Sequence, residues 1–309
     1  MGVEGEREGE TVTVFGEPQH AEAGYLPPVA RRALSVYRHF GLAQEPFAPA
    51  PDPAMWHTAL GHADGLARVR DALMQPRGLI AVLGGEGYGK SALRAALLAA
   101  LRRERLAVEI AALDDPRPYR TDAALLRAAL ARFGLPLDGR AGTAHIRQLT
   151  RFVETSHLRG RGVLLVLDDA HLLTGPHLDL LHALLAAAPT GAASLHLLLL
   201  GTSALAERIA RRGSLGDHLG VAHTLNPLNR DDTAGLIAHR LRVAGWAEDA
   251  PSLFTPEATD AVYVATGGVP AAVVTQCAAC LVEARFSGAT RVDDAVVRAA
   301  LNTPSDGIT

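Results

Sequence analysis

Residues 79–101, LIAVLGGEGYGKSALRAALLAAL, leave this chain few ways to fold. Leu79 to Leu83 is an uninterrupted apolar run with the length of a buried strand. The loop Gly84–Ser91 fits G-x-x-x-x-G-K-[ST], and Ala and Leu at helical spacing follow it. Strand, glycine-rich loop and helix in that order are the setting in which such a loop holds phosphate. Gly84, Gly87 and Gly89 allow φ values closed to other residues, so successive N–H groups can converge on phosphate oxygens. The positive end of the following helix points at the same anion. The expected binding set is Gly84, Gly85, Glu86, Gly87, Tyr88, Gly89, Lys90, Ser91 and Ala92. Within it Lys90 reaches the β- and γ-phosphates, and the Ser91 hydroxyl ligates Mg²⁺. Of the 30 Lys and Arg residues, Lys90 alone is lysine. A compact ammonium is kept at this one position, where a planar guanidinium would not fit the same way. The ligand expected is therefore ATP with Mg²⁺.

Composition narrows the rest. A length of 309 residues suits one large or two ordinary domains. The net charge of −3 gives no global pull toward nucleic acid, though a local basic face stays open. No apolar stretch reaches the length of a membrane span, and the acidic N-terminus lacks a signal pattern, so a cytoplasmic location is expected. Cys277 and Cys280 lie three apart in an apolar helical stretch. Two thiols cannot build a four-ligand zinc site alone, and they are expected as core residues.

Residues 1–26, with Glu4, Glu6, Glu8 and Glu10 at alternate positions, are expected as a flexible acidic extension. Residues 27–228 are expected to form the nucleotide-binding α/β domain, preceded by a helix from Val29 to about Phe40 and a Pro-rich strap on the surface. Strands are expected at Leu106–Ala111, Gly162–Leu167, Leu195–Leu200 and near His223–Leu225, alternating with helices as in a parallel sheet covered on both faces. From residue 229 to 303 only helices are expected, and 304–309 form a tail.

The run VLLVLDDAH is the second site. A hydrophobic strand ending in an acidic pair is the Walker B pattern. Asp168 is expected to hold Mg²⁺ through water opposite Ser91, and Asp169 to orient or deprotonate the attacking water. The competing reading has the pair cap the next helix. At the end of the following strand, Thr202 is the candidate for contact with the γ-phosphate or the water; a plain turn is the other reading. The expected catalytic set is thus Lys90, Asp169 and Thr202, and the expected metal set Ser91 and Asp168. Trp56 and His57 either flank the adenine or pack the strap onto the core. Arg102, Arg103 and Arg105 read as a solvated helix end, or as a DNA-binding patch.

The chain resembles the AAA+ ATPases of the ExeA/GspA type, relatives of the TniB and TnsC transposition ATPases. The resemblance rests on Tyr37, Phe40-Gly41-Leu42, Pro46-Phe47, Pro51-Asp52-Pro53 and His62 ahead of both Walker motifs. After them come Leu225-x-Pro227-Leu228, His239-Arg240-Leu241, Ala244-Gly245 and Gly268-x-Pro270. It implies a P-loop NTPase αβα sheet with strand order 5-1-4-3-2, a C-terminal helical lid, and ATP held between neighbouring subunits of a homo-oligomer. It also implies a partner: an envelope-assembly protein in secretion or pilus assembly, or duplex DNA in transposition control. Five positions depart from the family pattern. Asp169 stands for the usual Glu, and Gly201-Thr202-Ser203 for Gly-Gln-Pro. Ala271 stands for the lid Arg, and His218 for the expected arginine finger, with Arg211 and Arg212 nearby. Intact binding with slow hydrolysis is the expectation, and a nucleotide-gated scaffold without turnover is its limit.

Overall fold

The computed structural model describes residues 36–49, 52–75, 78–137, 143–188 and 195–302. The acidic extension, the first part of the expected helix from Val29, and the tail lie outside the described residues. Five strands form one parallel sheet: β1 (Leu79–Leu83), β2 (Val108–Leu113), β3 (Gly162–Leu167), β4 (Leu195–Gly201) and β5 (Leu219–Thr224). Their order is β2-β3-β4-β1-β5, which is the expected 5-1-4-3-2 read from the other edge. The helices in chain order are α1 (Leu60–Ala72), α2 (Lys90–Arg103), α3 (Asp122–Arg132), α4 (Thr143–Leu158), α5 (Gly175–Ala187) and α6 (Ser203–Ala210). After them come the short α7 (Gly213–Gly216), then α8 (Arg230–Val243), α9 (Pro256–Thr266), α10 (Pro270–Ser287) and α11 (Asp294–Asn302).

Alternation along the strands explains the continuous apolar runs. Leu79, Ala81, Leu165 and Leu197 face one layer, packed with Leu125 of α3, Leu149 of α4 and Leu181 of α5. Ile80, Val82, Leu164 and Leu198 face the other, packed with Val69 of α1 and Leu93 and Leu97 of α2. Each strand is covered on both sides, so the alternating polar residues of a half-exposed strand are absent from β1, β3 and β4. The edge strand β5 is the exception. It starts at Leu219, earlier than expected, because its alternately exposed Leu-Gly-Val-Ala-His-Thr sequence carries no apolar run. Likewise β2 begins two residues late, since Arg105 turns the chain with φ 50° and Leu106 is left exposed.

The C-terminal helices have a core of their own. Ile237, Leu241, Val262, Val273, Leu281 and Val297 pack around the fully buried Cys277 and Cys280, as the core reading of those thiols requires. Burial pushes the Cys280 thiol up to about 12. The strap joins this core and does not ride on the surface as the sequence reading has it. Tyr37, Phe40, Leu42 and Phe47 are buried there, and the Phe47 ring meets Phe254 edge-on at 5.9 Å. Apolar side chains scattered among prolines have no period to read, so their burial is visible only in three dimensions.

Candidate functional site

The C-terminal edge of the sheet gathers the site. The P-loop leaves β1 at Leu83, beside Gly201 of β4, and the Gly84 N–H donates to the Gly201 carbonyl at 3.0 Å. Gly87 and Gly89 take the left-handed conformation, φ 74° and 89°, and Gly89 is the N-cap of α2. Neither could carry a side chain: a Cβ at Gly87 would stand 2.9 Å from Ala271 Cβ, and one at Gly89 3.0 Å from His62 Nε2. The loop is thus packed closely against Ala271 at one glycine and His62 at the other. His62 supports it from α1, its Nε2 bonded to the Tyr88 carbonyl at 3.0 Å, and burial holds its pKa below the usual value.

Lys90 is buried and curls onto the loop, its ammonium donating to the carbonyls of Gly84 at 3.0 Å and Gly85 at 2.7 Å. Burial lowers its pKa, opposed by the Asp168, Asp169 and Glu86 carboxylates. An oxyanion in the cradle can compete for those N–H donors. Asp168 ends β3 almost fully buried; Arg94, one turn along α2 from Lys90, approaches it with Nε at 3.4 Å and also pairs with Asp114. Asp169 follows in left-handed backbone, φ 48°, with the side chain 43% exposed. That non-glycine strain turns the second carboxylate outward while the first stays in. His171 Nδ1, buried and without a hydrogen-bond partner among the described residues, lies 4.0 Å from Asp169 Oδ1.

Glu86, Gly87, Gly89, Lys90, Ser91, Ala92 and Asp169 line one cleft of about 680 Å³, closed on its far side by Pro270, Ala271 and Val274 of α10. Gly84, Gly85, Tyr88, Asp168 and Thr202 of the expected set are not in its lining. The first three build the loop, and Asp168 sits beneath it. Thr202 is the N-cap residue of α6, one residue past the Gly201 that Gly84 bonds, and its side chain makes no capping bond. The Ala271 N–H donates to the Gly87 carbonyl at 3.1 Å, so the C-terminal helices touch the phosphate loop itself. Trp56, His57, His62 and Ala92 line a smaller recess of about 50 Å³ beside the cleft. His218 is remote: its carbonyl accepts the N–H of Leu79, at the opposite end of β1, and its ring faces His182 at 5.5 Å. Arg212 pairs with Asp179 at 2.8 Å, whereas Arg211 is exposed with only a 3.3 Å contact to Glu207.

The residues fit ATP and Mg²⁺. The glycine cradle matches a phosphate chain, and Ser91 and Asp168 supply hard oxygen donors. Among the described residues no group of three or more His, Cys, Asp or Glu could hold a metal ion. Sequence reading missed Arg94, Arg117, His171 and Arg240, all within or against the site. Arg94, His171 and Arg240 stood within quoted runs without being singled out, and Arg117 stood in none.

The AAA domain family matches residues 73–209. General secretion pathway protein A of Aeromonas hydrophila is 28% identical over 257 residues, which are 82% of this chain and 45% of that protein. This chain therefore spans less than half the length of that relative, and the likeness bears out the ExeA/GspA-type resemblance. Three solved structures share the fold. The Aeropyrum pernix ORC2 protein aligns with TM-score 0.59 and 19% identity, over 79% of this chain and 68% of that one. Cdc6p from Pyrobaculum aerophilum gives 0.60 and 18%, over 82% and 69%. A chain of Drosophila ORC bound to DNA gives 0.65 and 16%, over 93% and 70%.

Proposed function

We propose that this chain, whose residues 73–209 match the AAA domain family, binds ATP with Mg²⁺, hydrolyses it slowly, and uses nucleotide state to control an assembly process. One observation carries the reading: Lys90, Ser91 and the outward carboxylate of Asp169 face a single cleft against the α10 wall. In the proposal the wall is a lid formed by residues 229–303, and 27–228 with the strap hold the nucleotide.

The P-loop amides and the Lys90 ammonium bind the phosphate chain and fix its direction. Ser91 and Asp168 hold Mg²⁺, which when bound neutralises charge on the β- and γ-phosphates. Asp169 positions a water molecule and takes its proton as the water oxygen bonds the γ-phosphorus. The bond from that phosphorus to the bridging oxygen breaks, leaving ADP and phosphate. Thr202 contacts the γ-phosphate or the water from the end of β4. Asp169 is one methylene shorter than glutamate, and a misplacement of about 1 Å can cost about a hundredfold in rate. An arginine finger is worth about 10³ to 10⁵ in rate, and His218 faces His182, away from the P-loop end of β1. The exposed Arg211, held by a 3.3 Å contact to Glu207, is the candidate to reach a neighbouring subunit.

Likeness to General secretion pathway protein A supports an ATP-promoted homo-oligomer with an envelope-assembly protein as partner, in the cytoplasm where ATP is supplied. Among the described residues no helix is long and apolar enough to cross a membrane. Sedimentation with and without a non-hydrolysable ATP analogue tests the oligomer; a monomer in both, well above the nucleotide Kd, would leave a stand-alone switch. The fold shared with a DNA-bound ORC chain supports a second reading, ATP-dependent binding of duplex DNA. A salt-sensitive mobility shift of duplex DNA that needs ATP would favour it.

A further inference from the structure

Arg240 lies on α8, far in sequence from both Walker motifs, and the mechanism above gives it no role. Its side chain lines the main cleft together with Lys90 and Ser91, and also the small recess with Trp56 and Ala92. It therefore stands where the two meet. Nη1 donates to the strap carbonyls of Pro46 at 3.2 Å and Ala48 at 3.1 Å. These bonds engage one nitrogen of a group whose other nitrogens are donors too. Nε is buried with no hydrogen-bond partner, and no carboxylate is in ion-pair contact with the guanidinium, among the described residues; Asp52, in the same recess, acts on it only at longer range. The other arginine lining the cleft, Arg117, is already paired with Asp115 at 2.9 Å. The lid helix presents the short apolar Ala271.

A half-buried cation with no carboxylate in contact is more favourable once an anion reaches it. We propose that Arg240 binds the phosphate chain of the nucleotide from the α8 side and, through Nη1, couples the bound phosphates to the strap at Pro46 and Ala48. The ligand class is a nucleoside polyphosphate, and the inference rests on the ATP reading given above. A guanidinium holding two carbonyls by Nη1 keeps its remaining edge for an oxyanion, so one side chain serves strap and phosphate together. A purely structural role would need only neutral donors toward the carbonyls. That difference separates the two.

Calorimetric titration of the full chain with ATP and ADP, with wild type, Lys90→Ala and Arg240→Gln in parallel, tests the proposal. Glutamine keeps N–H donors for the strap and removes the charge. Arg240→Gln is expected to weaken ATP by about tenfold or more, as loss of a charge-assisted phosphate contact does. Wild-type affinity in Arg240→Gln would overturn the role of Arg240 while leaving the ATP reading intact; no binding by wild type would overturn both. A measurement on the wild type alone covers a variant that fails to fold. Saturating ATP is expected to slow amide exchange at Phe47 and Ala48, and unchanged exchange there would also overturn the proposal.

Discussion

On the P-loop side of the cleft, position is set by backbone: Gly87 and Gly89 in left-handed conformation, Lys90 buried at the start of α2, Ser91 on its first turn. The groups proposed for the chemistry are set by side-chain length and by elements from afar: Asp169 on a strained turn, Thr202 outside the cleft lining, and Ala271 at the position where the family resemblance expects an arginine. The two sides differ in what can be adjusted. A backbone cradle either fits phosphate or does not, because one Cβ closes it. A side chain one methylene short leaves a defect that a partner can mend. In the function proposed above, binding is fixed within the chain and the rate of chemistry is left to its surroundings.

The largest expected effect would sharpen that contrast. Asp169→Glu should raise steady-state phosphate release by about a hundredfold, the cost ascribed to a 1 Å misplacement, and Asp169→Asn should abolish what remains. Brisk turnover in the unmodified protein, indifferent to Arg211→Ala, would break the contrast instead. Next, Lys90→Ala should lower ATP affinity by about tenfold or more, read by calorimetry, through loss of a charge-assisted contact. An amine-reactive ATP analogue should label only Lys90 and the N-terminal amine, since the chain holds no other lysine. Equal affinity in the two proteins would remove the P-loop from the binding site altogether.

Smaller effects report on the scaffold beneath the cradle. Gly87→Ala meets both a φ of 74° and the Ala271 methyl. Its left-handed cost is about 1–2 kcal/mol, so a drop in Tm of a few degrees is expected by calorimetry. Last is His62, whose buried ring has a folded pKa below 6.5. The unfolded chain binds the proton more readily, so the stabilisation is full above the unfolded pKa and is lost as pH falls through the folded value. Thermal stability should decline as pH drops below about 6.5, with a shallower decline in His62→Gln. A pH profile identical in the two would show that His62 stays neutral without consequence.

What was legible in the sequence was contiguous. The P-loop with its flanking strand and helix, and the run from Val163 to Asp169, each state their structure within a few residues. The order of the sheet came with the resemblance, and it holds. What escaped depends on partners far apart in the chain. Arg94 reads as one more helical arginine until β3 brings Asp168 to it, and Arg240 until Pro46 and Ala48 fold back from 192 or more residues away. Phe47 looked like a surface residue of a Pro-rich strap because its contact, Phe254, lies in another element. Edge strand β5 was shortened for a different reason: half of it faces outward and carries no apolar signal.

The bond from the Ala271 N–H to the Gly87 carbonyl has a kinetic meaning. A lid of the kind proposed above would break this bond on swinging away from the P-loop, and Gly268, two residues before α10, is itself tied by its carbonyl to the Leu228 N–H at 2.8 Å. Opening and letting go would then be one motion with one barrier. In such a device the time spent holding spent nucleotide is governed by the swing of α10, and any partner that bears on that helix resets the clock without touching the chemistry.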